Sequence, residues 1–167
     1  MNSPTGVIES VAIVDENNKI IGSATNEEIY SKKLHHRTVH IIACNDKGEL
    51  FLSQLSAQDV FCPGYWCTSA HGILLENESY EQAAERSLKE WIGVNAKLVQ
   101  IHEGIHDHYK MRKFMQVFRC NTNNILLNPV LAMNGKWFSV DDVKDMVRKN
   151  QMVHPELAYV IEKLYTE

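Results

Sequence analysis

The residues best suited to chemistry lie in one segment, HGILLENESYEQAAERSLKEWIGV, which runs from His71 to Val94. Glu90 offers the carboxylate oxygens that Mg²⁺ prefers as ligands. Arg86 precedes Glu90 by one helical turn, so the two side chains would share one face of a helix. His71 begins the segment and has a side chain that can act as a general acid or base. The segment is therefore a candidate site for cation binding and proton transfer.

A loop and a helix must position these side chains. The stretch CPGYWCTSAHG, which ends at Gly72, predicts a loop in which Pro63 and Gly64 form a turn. The residues from Glu78 to Ile92 include no Gly or Pro, and Gly93 follows where a helix C-cap belongs. The sequence therefore predicts a loop, a helix and a glycine stop.

The spacing within this segment resembles the Nudix box, in which Gly, Glu, Arg, Glu and Gly recur at fixed intervals around a loop and a helix. The matching positions are Gly72, Glu78, Arg86, Leu88, Glu90, Gly93 and Val94. The resemblance implies that Glu90 is a catalytic residue and a metal ligand, while the scaffold consists of Gly72, Glu78, Arg86 and Gly93. It also implies a hydrolase that uses Mg²⁺ or Mn²⁺ to assist attack of water on a diphosphate.

Two ligand positions of the box depart from this pattern. Ser87 and Trp91 stand where the family has glutamates, and neither side chain can replace a carboxylate. Leu131 stands where a further ligand glutamate is expected. The remaining nearby acids are more typical of an exposed helix face than of a rebuilt metal site; they are Glu76, Glu81 and Glu85. We therefore expect weak metal binding, and we expect Ser87→Glu with Trp91→Glu to raise hydrolysis if only carboxylates are missing.

Further segments resemble the branch of the superfamily near type I isopentenyl-diphosphate isomerase. They are HHR before a hairpin, PGYW, TSA, and the C-terminal KWFSVDDV with HPELAYVIEKL. The isomerase has its catalytic Cys where this chain has His71, and a ligand His where this chain has Ile73. Isomerisation is therefore the least favoured activity. His71 is a candidate catalytic residue that meets a substrate phosphate or transfers a proton, and hydrogen bonding within the loop is the alternative.

The rest of the chain alternates strand and helix patterns. Two short strands are predicted around a turn at 16–19, followed by a short helix capped by Asn26 and a hairpin from Val39 to Gln54. The later patterns are strands AKLVQIHEG and RKFMQVFRCNT, joined by IHDHYKM, then strand GKWFSV and helices 141–149 and 155–165. This order predicts an α+β protein, an α/β/α sandwich with the Nudix fold and a mixed sheet. We expect N-terminal strands and a short helix in 1–36 and a Nudix domain in 37–167.

Composition argues against several classes of partner. The 167 residues have a net charge of -4, which gives no basic surface for nucleic acid. No apolar run is long enough to cross a membrane, and the N-terminus lacks the pattern of a secretory signal. The four cysteines form no zinc pattern, so we expect reduced thiols in a cytoplasmic protein. Hydrogen-bonded or exposed imidazoles are favoured over a zinc site for the histidine clusters at 35–40 and 102–108.

Together these patterns favour a Nudix-type hydrolase of an organic or nucleoside diphosphate with weak or altered activity. The alternative is a non-catalytic Nudix domain that binds a phosphorylated ligand or a protein partner. Arg37, Tyr65 and Trp66 are candidates for substrate contact, although core packing is the commoner fate of such aromatic side chains. The resemblance is also compatible with a homodimer.

Overall fold

The fold is built on a mixed sheet. A computed structural model of the chain describes residues 9–165, and within them the sheet has nine strands. The strands are β1 Val11–Val14, β2 Ile20–Ala24, β3 His36–Cys44, β4 Leu50–Leu55, β5 Trp66–Cys67, β6 Ala70–Ile73, β7 Val99–His108, β8 Met111–Asn121 and β9 Ala132–Phe138. The helices are α1 Asn26–Lys32, α2 Tyr80–Ile92, α3 Val140–Arg148 and α4 Pro155–Leu164.

Strand β3 is the centre of the sheet because other strands pair along both of its sides. It is parallel to β8 along its whole length, and its middle residues, 38–41, are antiparallel to β6. Strands β7 and β8 form a long antiparallel hairpin, and β4 pairs with β9. The register places His36 beside Lys113 and His40 beside His71. Residues distant in sequence therefore meet across the middle of the sheet.

Helices cover both faces of the sheet. Successive side chains of a strand point to opposite faces, so β3 contributes to two cores. Val39, Ile41 and Ala43 belong to the core that includes α2, whereas Ile42 and Cys44 belong to the core that includes α4. This arrangement confirms the predicted α+β class and α/β/α layering. The boundary proposed at residue 36 stays a prediction, and β1 joins the same sheet through a pair between Ile13 and His36.

Several local predictions were wrong. The predicted loop 62–72 includes strands β5 and β6, because its backbone pairs with β4 and β3. Most of IHDHYKM is strand, and only Tyr109 and Lys110 turn, both with positive φ. Thr25, not Asn26, caps α1, since its side chain accepts a hydrogen bond from the Glu28 N–H. The predicted hairpin is confirmed, since β3 and β4 are antiparallel around the turn, but they share one registered pair because β6 and β8 pair with the rest of β3.

The four cysteines are free thiols, three of them buried, as the sequence predicts for reduced side chains. Helices that combine the length and the apolar character required for a membrane span are lacking between residues 9 and 165.

Candidate functional site

A cavity of about 80 Å³ opens beside the segment that the sequence singles out. Strands β3 and β6, the start of α4 and the loop 56–64 surround it. Its lining residues include His71, Gly72, Arg86 and Glu90 from the motif, together with His40 and Glu156 from elsewhere. The cavity therefore brings the predicted catalytic residues together and adds others that the motif does not contain.

Arg86 fixes the shape of the loop before α2. Its guanidinium donates two hydrogen bonds of 2.9 Å to the Glu78 carboxylate and one of 3.1 Å to the Ile73 carbonyl. The same carboxylate accepts from the Leu75 N–H at 3.0 Å. Burial opposes ionisation of Glu78, but the Arg86 hydrogen bonds hold the pKa of its carboxyl below the ordinary value. Such a bidentate pair has one geometry, so it ties β6, the loop and α2 into a unit.

The two motif glycines are required for different reasons. A Cβ on Gly72 would lie 2.6 Å from the Ser87 hydroxyl oxygen, so only glycine permits strand β6 to approach α2 this closely. Gly93 ends α2 with a φ of 61°, in the left-handed region, and its N–H donates to the Lys89 carbonyl. The unit therefore has the shape that the sequence predicts, with Ser79 as the N-cap of a helix that begins at Tyr80.

The two substituted positions of the motif are both buried. Trp91 is 1% exposed and belongs to the core beneath α2, and its ring lies 4.3 Å from that of His71. Ser87 is fully buried, and its hydroxyl has no hydrogen-bond partner in the described part of the chain. Leu131, also largely buried, lines the cavity. Space that acidic side chains would share with a cation is therefore filled by an indole and by apolar packing.

Glu90 is the motif carboxylate that remains at the cavity. It is half-buried, and one of its oxygens lies 3.5 Å from the Arg86 guanidinium. Burial raises the pKa of Glu90, the Arg86 charge opposes this shift, and the charge of Glu9 adds to it. Glu9 lines the same cavity, and the neighbouring Ser10 carbonyl accepts from the Glu76 N–H. Glu9 is thus a second acid at this cavity that the motif does not reveal. Glu81 and Glu85 are exposed on the other side of α2.

His71 lies between two rings. The Trp91 ring is on one side and the His40 ring, at a centroid distance of 5.5 Å, is on the other. Burial, reinforced by nearby His40 and His154, holds the pKa of His71 well below its ordinary value, so the imidazole is neutral. Its Nδ1 atom is buried and has no partner among the described residues. A neutral imidazole with an unused nitrogen can accept a hydrogen bond or a proton.

A buried polar cluster of His40, Lys113, His154 and Glu156 lies behind His71. The Glu156 carboxylate accepts hydrogen bonds of 2.9 Å from His40 Nε2 and 2.8 Å from the Lys113 ammonium. His154 caps α4, because its Nδ1 accepts from the Glu156 N–H. Burial disfavours ionisation of Glu156, but the Lys113 charge and the His40 hydrogen bond bring the pKa of its carboxyl well below the ordinary value.

Sequence reasoning missed this cluster because its members are far apart in the chain. One signal was available: Lys113 alternates with Met111 and Met115, so an alternating strand would turn it inward. Glu156 gave no such signal, since an acid in the first turn of a helix is usually exposed.

The three predicted substrate contacts do not line this cavity. Arg37 donates to the side chain and the carbonyl of Asn18. Trp66 packs against Phe138 at 5.3 Å on the α4 side of the sheet, and Tyr65 packs against the core on the α2 side. The structure therefore brings Glu90 and His71 together and leaves Arg37, Tyr65 and Trp66 away from them. Their role in substrate contact stays a prediction.

Comparison with known proteins identifies relatives of this architecture. A family model described as the NUDIX domain matches residues 34–164. An uncharacterized Nudix hydrolase of Nostoc, all7351, is 31% identical over 166 residues, which cover 95% of this chain and 96% of that protein. Isopentenyl-diphosphate Delta-isomerase 2 of Photorhabdus laumondii is 32% identical over 98 residues, 59% of this chain and 55% of the isomerase.

Solved structures show the same fold. The crystal structure of DR0079 from Deinococcus radiodurans superposes with a TM-score of 0.82 at 18% identity, covering 94% of this chain and 99% of that one. Other curated relatives are matched less completely, and the chain spans about half of their length.

The burial of Ser87 and Trp91 reverses the expected effect of restoring glutamates there. Ser87→Glu with Trp91→Glu places two carboxylates in the core, so we expect a loss of several kcal/mol in the free energy of unfolding and no gain of hydrolysis. Urea denaturation of the purified variant measures the loss. The control is Gln82→Glu, because Gln82 is exposed and a glutamate also completes its capping box. A double variant with wild-type stability would contradict the packing described for Trp91.

The Lys113–Glu156 pair gives a second prediction. Glu156→Leu leaves a buried ammonium without its counter-charge, so we expect the free energy of unfolding to fall by about 3–5 kcal/mol. Adding Lys113→Met removes that charge, and most of the lost stability should return. Denaturant titration of the two variants tests the pair, and equal stability of the single and double variants would argue against it.

The buried histidines make stability depend on pH. Burial lowers the pKa of His154 to about 4 from 6.5, so its contribution is complete above pH 6.5 and is lost as the pH falls towards 4. The unfolded chain binds the proton more readily, so the free energy of unfolding should fall by about 1.4 kcal/mol per pH unit for such a group. His154→Asn keeps a capping side chain but cannot titrate, and should reduce this slope. Denaturation midpoints between pH 7 and 4 provide the comparison, with an unchanged slope as the contrary result.

Proposed function

The chain belongs to the Nudix family, and we propose that it is a metal-assisted hydrolase of an organic or nucleoside diphosphate with weak or altered activity. One observation carries this proposal. The Arg86–Glu78 pair holds the loop and helix in shape beside a cavity into which Glu90 and His71 both project. The scaffold, one carboxylate and a neutral imidazole are thus present at one place.

The residues at the cavity fit a divalent cation that is held largely by its substrate. Mg²⁺ is commonly bound by one or two carboxylates together with substrate phosphates and water, and Mn²⁺ takes similar oxygen ligands. Glu90 would supply one carboxylate, and Glu9 lines the same cavity. The Arg86 guanidinium, 3.5 Å from Glu90, competes for that carboxylate. We therefore expect the cation to bind weakly until a diphosphate is present.

The proposed reaction is attack of water on a phosphorus atom of the diphosphate. A bond forms between the water oxygen and phosphorus, and the bond to the bridging oxygen breaks. A bound cation would neutralise the charge of the diphosphate. The His71 imidazole, which lines the cavity, would accept the proton of the water, and a neighbouring phosphate would raise the basicity of this imidazole. Glu90 would orient the water and hold the cation.

A non-catalytic role is the alternative that specific observations favour. Trp91 and Leu131 occupy positions where the family places acids, and both are buried. A domain of this kind would bind a phosphorylated ligand or a protein partner without turning it over. Isomerisation of isopentenyl diphosphate has less support, because His71 and Ile73 replace the thiol and the ligand that this chemistry uses. Residence in the cytoplasm and a homodimer remain predictions.

Glu90→Gln separates the two functions. The amide keeps the shape of the side chain but lacks the charge, so we expect loss of Mn²⁺ binding in the presence of a diphosphate and loss of hydrolysis. The measurements are a Mn²⁺ titration and phosphate release from a panel of nucleoside and isoprenoid diphosphates. Glu85→Gln is the matched control, since Glu85 is an exposed acid on the same helix. If wild-type protein and Glu90→Gln are equally inactive across the panel while both bind a diphosphate, the hydrolase is excluded and the binding domain is supported.

A further inference from the structure

We propose that His40, Cys67 and His71 form a second cation site, selective for a zinc-like ion, beside the carboxylate site at Glu90. One ligand atom from each residue, two imidazole nitrogens and one thiol sulfur, lies within 4.8 Å of the other two. Three strands bring these atoms together, since His40 is on β3, Cys67 is on β5 and His71 is on β6. His40 is distant in the sequence from Cys67 and His71, so no local spacing motif reveals the three together.

The donor atoms decide which ion would bind. Sulfur and imidazole nitrogen are ligands of Zn²⁺ and related ions, whereas Mg²⁺ requires oxygen. Zinc holds nitrogen at about 2.0–2.1 Å and sulfur at about 2.3 Å, so the ligand atoms must close by roughly 1 Å when the ion binds. Three protein ligands leave a fourth position for water or a ligand. His40 and His71 line the cavity, so an ion could enter from it.

His40 has the environment of a metal ligand. A histidine that binds a metal usually donates its other N–H to a carboxylate, which fixes the orientation of the ring. His40 Nε2 lies 2.9 Å from Glu156, which Lys113 holds in turn. The nitrogen left for the ion is Nδ1, which now contacts the Thr68 hydroxyl at 2.6 Å. Thr68 retains a hydrogen bond to the Ala70 carbonyl, so it can release His40 without becoming unsatisfied.

The other two ligands lack strong partners. The Nδ1 atom of His71 is buried with no hydrogen bond from any described residue. Cys67 is fully buried, and among the described residues its sulfur has one hydrogen-bond contact, 4.0 Å long, to the Thr68 hydroxyl. A buried polar atom without a partner destabilises the fold, so an ion that binds here satisfies groups that the fold leaves unused.

Binding of Zn²⁺ releases one proton from the protein. The Cys67 thiol gives its proton to solvent as the sulfur–zinc bond forms, and both histidines bind as neutral rings. The ion and the thiolate together add one positive charge to a cluster in which Lys113 and Glu156 already neutralise each other. Formation of this site does not require the proposed hydrolysis, because Glu90 is not among its ligands. His71 belongs to both sites, so an ion bound here would suppress proton transfer by His71.

Cobalt titration of the metal-free full-length protein tests the site. Co²⁺ bound to a thiolate gives a charge-transfer absorption, and we expect one Co²⁺ per chain, displaced by Zn²⁺. Cys67→Ser should abolish the band and His71→Asn should weaken it, whereas Cys44→Ser, a buried cysteine outside the cluster, should retain it. Absence of the band in the wild type, or its persistence in Cys67→Ser, would overturn the proposal.

Two further measurements test the site if a variant does not fold or if the cation binds at Glu90 instead. If Cys67→Ser does not fold, calorimetry of the wild type in buffers of different ionisation enthalpy should still detect one proton released per Zn²⁺, and no release would refute thiolate ligation. Glu90→Gln should lose hydrolysis but keep the cobalt band. Loss of the band in Glu90→Gln would place the cation at the carboxylate site. This result would refute the second site and leave the proposed hydrolysis standing.

Discussion

The bond between Arg86 and Glu78 is the interaction on which the site depends. A single guanidinium contacts the end of β6, the loop and Glu90 on α2, so three separate segments share one half-buried cation. Gly72 must be small for β6 to lie this close to α2, because a Cβ there would clash with the Ser87 hydroxyl. The geometry of the loop is thus preserved by residues that need not touch a substrate. This explains how the shape can persist when residues that bind a metal have changed.

The substitution at position 91 of the motif changes the packing beside the cavity. Trp91 is part of the core and lies against His71, so it replaces both a charge and the space that a cation would use. Burial of the His71 ring in this packing lowers its pKa well below the ordinary value, so the imidazole is neutral. Behind it, the Lys113–Glu156 pair sets the position of His40. Three imidazoles line the cavity, those of His40, His71 and His154. Four carboxylates also line it, those of Glu9, Asp59, Glu90 and Glu156.

Sequence predicted the parts of this arrangement that are local. Gly72, Glu78, Arg86 and Gly93 lie within one loop and one helix, where fixed spacing determines which side chains meet. Burial of Trp91 was not predicted from its place in the motif, although it continues the apolar stripe of α2. The contact between Lys113 and Glu156 joins residues 43 positions apart, and His40 is 116 positions from Glu156. Such contacts depend on the parallel register of β3 with β8, which no local pattern encodes.

The proposed activity requires a cation held by Glu90 and a diphosphate rather than by a cluster of glutamates. A crystal structure with Mn²⁺ and a non-hydrolysable diphosphonate tests this most directly, since Mn²⁺ is located by its anomalous scattering. We expect one Mn²⁺ peak within coordination distance of the Glu90 carboxylate, with the diphosphonate completing its ligands. A bound diphosphonate with no peak beside Glu90 would contradict it.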